Sequence, residues 1–380
     1  MSRAQVVFRP LFEDLAFVGR CPDGANAAVR ARHEDLLARW ARALDIPACE
    51  LQAKADPEDW SENAVVLLAA LDAGLCVHIL APNRLHEPLQ VVRSFGPDAF
   101  DPDAPTIFLG APLKHDSIFP NPLLEQAPAL NIIWPRNGKL GAGERYWASA
   151  VLRSALNRQN QTSSGDPGGP GGYVEATRRV LASTKRPLMA KIIFQAKYMP
   201  PTRLPLPVGR EPTDSEIQSA YITAFEYCLL DCEARREAFL IQEELRFIHE
   251  YRVIIVDGEP VAGAGTVEWL SPCWHDPADG PFDPQVEHCR GDRDLVRDSD
   301  LVAQYVATAR RLCRELDAEE GGGRFRNCTM DFAVNADDGS ICLIETNSLD
   351  RVGIYAMDYA PVLSALLRSV SAETLLTFTA

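Results

Sequence analysis

The sequence predicts a mixed α/β and α+β protein, and three observations carry that expectation. Short apolar runs and a helical run share the first 156 residues, a Gly- and Pro-rich stretch interrupts the chain at 157–172, and two Asp-Gly pairs flanked by apolar runs mark β-hairpins in the second half. The first pattern suits a layered α/β domain and the last suits antiparallel sheet. With 380 residues the chain is long enough for two or three domains of roughly 100–200 residues each.

Composition narrows the function classes. Hydrophobic residues make up 46% of the chain, so a sizeable core is available. No run of about 18 uninterrupted apolar residues occurs, so no transmembrane helix is expected. The start reaches Glu13 and Asp14 before any long apolar stretch, which argues against a secretory signal and makes the cytoplasm the expected address. A net charge of −15 weighs against nucleic acid as the main ligand. Ten Cys with no Cys-x-x-Cys read as buried free thiols in a reducing compartment.

Taken in order, residues 34–44 place Leu36, Leu37, Trp40, Ala41 and Leu44 three and four apart, the spacing of a helix with one apolar face. Residues 65–71, 75–80, 106–109 and 130–134 are short apolar runs of the same layered domain. Residues 157–172 have no hydrophobic period and read as a linker or mobile loop at a domain boundary. A phosphate cradle is the alternative there, but a preceding strand and the Lys-Ser/Thr ending of a P-loop are both missing. Beyond it come a helix at 173–183, a strand over 186–194 with Lys191 inside it, a long helix at 214–237 and a short strand at 239–245. Two hairpins follow, one turning at Asp257-Gly258 and one at Asp338-Gly339, where Gly supplies the positive φ that the turn needs. Between them lie an irregular acidic loop at 271–299 and an amphipathic helix with Leu301, Tyr305, Leu312 and Leu316 on one stripe.

The second hairpin carries the chemistry. Side chains alternate along a strand, so Thr329, Asp331 and Ala333 share one face of the outgoing strand, and Leu343, Glu345 and Asn347 share one face of the return strand. A three-residue loop, Asp337-Asp338-Gly339, puts Asp331 directly opposite Glu345; a two-residue loop puts Thr346 there instead and breaks the cluster. Close carboxylates repel unless a cation neutralises them, and hard oxygen ligands suit magnesium. A solvated polar hairpin face with no metal is the alternative. Cys273, His275, His288 and Cys289 flank the acidic loop and offer soft ligands to zinc, although their spacing fits no standard finger.

Four motifs in order over residues 173–365 resemble the ATP-grasp superfamily. Arg186-Pro187-Leu188-Met189-Ala190-Lys191 looks like its strand with a phosphate-binding Lys, and Ile241-Gln242-Glu243-Glu244-Leu245 like its adenine hinge. Glu250-Tyr251-Arg252 is similar to its Glu-x-Arg strand, and Met330-Asp331-Phe332-Ala333 with Leu343-Ile344-Glu345-Thr346-Asn347 to its metal-binding strands. The resemblance implies an N-terminal α/β domain followed by an ATP-grasp fold of two α+β lobes, 173–245 and 246–380, using ATP and Mg2+. It implies metal ligands Asp331, Glu345 and Asn347. Nucleotide contacts would come from Lys191, Lys197, Gln242, Glu243, Leu245 and Glu250, the last equally able to serve structure. Arg252 would face the γ-phosphate, and Arg351 would clamp a substrate carboxylate or form an ordinary salt bridge. The usual Gly- and Ser-rich phosphate loop is absent after Lys191; Lys197 and Arg203 are candidates to replace it, and Lys139 is the candidate for an earlier phosphate Lys. The implied reaction joins a small-molecule carboxylate to an amine through an acyl phosphate, releasing ADP and phosphate. A phosphotransferase of the same fold and a non-catalytic nucleotide-binding protein are the alternatives. No nucleic acid or membrane partner is expected, and the oligomeric state is open.

Overall fold

The computed structural model describes residues 5–9, 14–80, 91–101, 103–104, 106–110, 149–168, 170–193, 201–229, 238–265, 271–287, 295–320, 325–349 and 353–377. The apolar run at 130–134 lies outside them. In the N-terminal domain, β1 (Gln5–Arg9) is followed by β2 (Phe17–Gly19), α1 (Ala27–Leu44), β3 (Gln52–Ala55), α2 (Pro57–Asp72), β4 (Cys76–Leu80), β5 (Val91–Phe95) and β6 (Thr106–Gly110). β1 sits between β4 and β6, parallel to both, with β5 antiparallel at the edge of β4. All of β4 is buried, as expected of a strand in a covered parallel sheet. The helices start on side-chain caps: Asn26 accepts the Val29 N–H, and Asp56 accepts those of Glu58 and Asp59 ahead of Pro57. The apolar run at 65–71 falls inside α2.

The smaller lobe follows. After α3 (Ala150–Ala155) come β7 (Asn160–Ser163), α4 (Tyr173–Ser183), β8 (Leu188–Ile192), β9 (Thr202–Arg203), α5 (Asp214–Leu229) and β10 (Phe239–Glu243), with sheet order β7-β10-β8-β9. Its core is aromatic, with Tyr173, Tyr221, Phe225 and Phe239 in mutual ring contact. The stretch read as a linker contains a strand, because 160–163 pairs antiparallel with 239–242 at the sheet edge. A polar Asn-Gln-Thr-Ser run has no apolar alternation to reveal it. The helix expected over 214–237 is kinked at Phe225 and described to Leu229; residues 230–237 lie outside the described chain.

The larger lobe holds a six-stranded sheet whose order is β14 (Leu295–Arg297), β13 (Phe282–Glu287), β12 (Glu259–Gly265), β11 (Phe247–Val256), β15 (Cys328–Asn335) and β16 (Ile341–Ser348). β11 (Phe247–Val256) and β12 (Glu259–Gly265) are joined by Asp257-Gly258 with φ of 54° and 79°, the two positive values of a primed two-residue turn. The segment read as an irregular acidic loop contains β13 (Phe282–Glu287) and β14 (Leu295–Arg297). Then come α6 (Ser299–Glu320), β15 (Cys328–Asn335), β16 (Ile341–Ser348) and α7 (Ala360–Thr377). Alternation splits β11 between two cores. Tyr251, Val253 and Ile255 pack with Tyr305, Leu312 and Leu316 of α6. Ile254 and Val256 pack in the core that holds Trp40 and Trp60 of the N-terminal domain and Leu363 and Leu366 of α7. The N-terminal domain and larger lobe therefore share one core. Cys21, Cys49, Cys76, Cys273, Cys313, Cys328 and Cys342 are free thiols. Among the described residues no helix is long and apolar enough to cross a membrane.

Candidate active site

The β15–β16 hairpin reaches the expected pairing by a different route. Asn335 N–H donates to Ser340 O at 2.8 Å, and Val334, Ala333 and Phe332 pair with Ile341, Cys342 and Leu343. The loop is thus 336–339, one residue longer than expected. The register then shifts, and Asp331 lies opposite Glu345 with Ile344 as the extra residue of a bulge. The bulge corrects the expected face of Leu343. That side chain joins Met330 and Phe332 in the core, while Ile344 and Glu345 line a cleft.

The cleft has a volume of about 650 Å³ and lies between the two lobes. Met189, Lys191, Leu240 and Gln242 line it from the smaller lobe, and Glu250, Asp331, Glu345 and Tyr355 from the larger. At its floor four charges pair off. Lys191 Nζ donates to Glu345 Oε2 at 2.5 Å, across the lobes. Arg252, cross-strand from Asp331, donates Nε to Oδ1 at 2.8 Å and Nη2 to Oδ2 at 2.7 Å. Arg252 is buried, with its guanidinium forked onto the Asp331 carboxylate. Its remaining Nη1 donates to Gly353 O at 3.0 Å, and the Tyr355 ring lies 4.1 Å from the guanidinium carbon. Burial opposes Arg252's charge, but the adjacent Asp331 carboxylate more than restores it and raises the guanidinium's pKa. Burial likewise opposes the Glu345 carboxylate; Lys191 and the Asn347 side-chain N–H outweigh it and hold the pKa down to about 2.

Asn347 Nδ2 donates to Glu345 Oε1 at 3.0 Å, so the three expected metal ligands fall into one patch. Magnesium fits this donor set, which is all oxygen: two carboxylates and one amide. Lys191 and Arg252 balance the charge of Glu345 and Asp331. Among the described residues no group of three or more His, Cys, Asp or Glu gathers. Cys273 and His275 are buried, and the nearest carboxylate paired with His275 is Asp283 at 4.0 Å, so the described residues assemble no soft-ligand site. His288 and Cys289 lie outside the described residues, as do Lys139, Lys197 and Arg351.

The hinge is partly committed elsewhere. Glu243 N–H donates to Gln159 O, and Glu244 N–H donates to Pro187 O. The Glu243 carboxylate accepts from Gln159 N–H and Thr184 Oγ1, tying β10 to the preceding chain. Glu244 pairs with Arg203 at the surface, as plain surface charge would. Gln242 is buried in the cleft wall, and its Oε1 has no partner among the described residues. Leu245 and Glu250 also line the cleft. Sequence reasoning missed Arg158. It lines the same cleft, lies over the Phe247 ring at 5.0 Å, and keeps a buried Nε with no partner among the described residues. Burial lowers its pKa to about 10. Nothing in the pattern of 157–172 marks it out.

No protein-family model matches the chain, and no curated protein does. Among solved structures it is similar to the D-cycloserine synthetase DcsG, with 15% identity, 80% of this chain and 93% of that one covered and a TM-score of 0.46. It is similar to a RimK domain ATP-grasp protein of Sphaerobacter thermophilus, with 12% identity, coverage of 80% and 95% and a TM-score of 0.40. It is also similar to the D-alanine-D-alanine ligase of Coxiella burnetii, with 10% identity, 99% of each chain covered and a TM-score of 0.45.

Proposed function

We propose that this protein is a magnesium-dependent ATP-grasp ligase that joins a small-molecule carboxylate to an amine through an acyl phosphate. The observation that supports this best is the neutral quartet of Lys191, Glu345, Arg252 and Asp331 at the floor of an inter-lobe cleft. Two cations and two carboxylates that neutralise one another can each turn to a ligand of opposite sign. Lys191 and Arg252 would take phosphoryl oxygens, where fixed positive charge rewards developing negative charge. Asp331, Glu345 and Asn347 would hold magnesium, which when bound draws charge from the terminal phosphates. Gln242 Oε1 can accept from an adenine amino group, with Leu245, Met189 and Ile344 as apolar walls. Lys197 is assigned to the phosphates and Arg351 to the substrate carboxylate, from their places in the sequence.

In the reaction, a substrate carboxylate oxygen attacks the γ-phosphorus and ADP leaves. The amine then attacks the acyl carbon, phosphate leaves, and the amine's proton is lost. The chain's part is to position the reactants and neutralise charge. Mg·ATP supplied with pooled amino acids, small acids and hydroxylamine should give an acid-dependent hydroxamate with ADP release. Asp331→Asn and Glu345→Gln should each cut this by about a hundredfold or more, the scale of losing a main charge-stabilising group. A stable phosphate ester, with neither hydroxamate nor free phosphate, would make the protein a phosphotransferase instead.

A further inference from the structure

Helix α2 buries three consecutive polar residues. Ser61, Glu62 and Asn63 are all buried, and Glu62 is only 8% exposed. A buried carboxyl group is costly unless its oxygens are engaged. Glu62 Oε1 accepts two backbone N–H groups from the far end of the chain, Ile354 at 2.7 Å and Tyr355 at 2.9 Å. Gly353 is packed so closely that a Cβ there would lie 3.1 Å from the same oxygen. Tyr355 takes a φ of 52°, a left-handed conformation that is costly for a bulky residue and must be held by its surroundings.

The same short turn holds Arg252. Gly353 O accepts from Arg252 Nη1, and the Tyr355 ring covers the guanidinium. A chain of direct contacts thus runs from the N-terminal domain to the cleft: Glu62, the 353–355 turn, Arg252, Asp331. We infer that Glu62 is a positioning residue, through which the N-terminal domain fixes the orientation of Arg252. The inference deepens the proposed function, because Arg252 matters most if the cleft performs phosphoryl transfer. The contacts themselves do not depend on that reaction.

Glu62 also ionises in an unusual range. Burial raises its pKa to about 8; the Tyr355 and Ile354 N–H groups and Arg252 pull it down, and Glu58 on its own helix pushes it up. Glu62→Gln keeps an acceptor oxygen for the two N–H groups but cannot ionise. Glu62→Ala removes the acceptor.

The test follows the Arg252 side-chain Nε–H by NMR in the full, ligand-free chain, assigned by its loss in Arg252→Lys. In the wild type this signal should move with a midpoint near pH 8, following Glu62. Glu62→Gln should hold it at the wild-type low-pH position throughout. Glu62→Ala should displace it at every pH and speed its exchange about tenfold, as loss of a local restraint does. An Arg252 signal that Glu62→Ala leaves in place with unchanged exchange, or a shift near pH 8 that persists unchanged in Glu62→Gln, overturns the inference. If Glu62→Ala does not fold, the wild type and Glu62→Gln still decide. Calorimetry with Mg·ADP on the same samples separates the two claims. A wild type that binds no nucleotide defeats the proposed function, while the Arg252 signal continues to report on Glu62.

Discussion

Lys191 and Glu345 come from different lobes and meet at 2.5 Å. Their types and places in the sequence made both legible as candidates; their pairing with each other depends on how the lobes close. The same holds for Arg252, whose Glu-x-Arg setting was visible but whose fork onto Asp331 is a product of strand register. If Lys191 serves phosphates, Lys191→Met should weaken ATP and ADP by about tenfold or more and leave adenosine nearly unchanged, because a point charge meets phosphate and not the base. Calorimetry with the three ligands checks this, and equal losses would assign Lys191 to structure. The pair also has a pH signature. Glu345 is depressed to about 2, so the unfolded chain binds its proton first as pH falls. Its contribution to stability is present above the ordinary carboxylate pKa of about 4.5 and is lost toward pH 2. The Tm advantage of wild type over Lys191→Met should therefore be larger at pH 6 than at pH 3. Glu62 runs the other way. Its pKa is raised to about 8, so the folded state holds the extra proton and loses stability as pH rises above the unfolded value. Glu62→Gln should gain on wild type between pH 5 and 8, as urea midpoints at both ends would show.

At the scale of elements, hairpins were the most legible features. Asp257-Gly258 and Asp338-Gly339 each announced a turn, since few other residues accept the φ required. At Gly258, with φ of 79°, Ala should cost about 1 kcal/mol, measured by urea unfolding, with nucleotide affinity unchanged. The bulge at Ile344 was not legible. Strict alternation would send Leu343 and Glu345 to the same face, and the extra residue lets one enter the core while the other enters the cleft. The strand at 160–163 was hidden for a related reason. An edge strand of short polar residues buries too little to show a period, yet it supplies the sheet position next to β10 and brings Arg158 to the cleft. Strands β13 and β14 were likewise masked by Asp and Pro residues between them and their neighbours.

At the scale of the molecule, alternation of apolar and helical runs disclosed a layered N-terminal domain, but not that its core continues into the larger lobe. Long-range packing of that kind leaves no local pattern. It is also what lets Glu62 reach the turn beside Arg252. The smaller lobe has an aromatic core of its own, while its Ile193, Ala238 and Leu240 join the core of the larger lobe, so the cleft lies between two lobes that also pack against each other. The claim that unites these levels is that the quartet at the cleft floor exchanges its internal ion pairs for a nucleotide and a metal. Calorimetric titration of the wild type, Asp331→Asn and Glu345→Gln with adenylyl imidodiphosphate, with and without magnesium, tests it most directly. The wild type should bind about tenfold or more tightly with magnesium than without, and both variants should lose that difference while keeping their fold. Binding that is absent, or equally tight with and without magnesium in all three proteins, would contradict it.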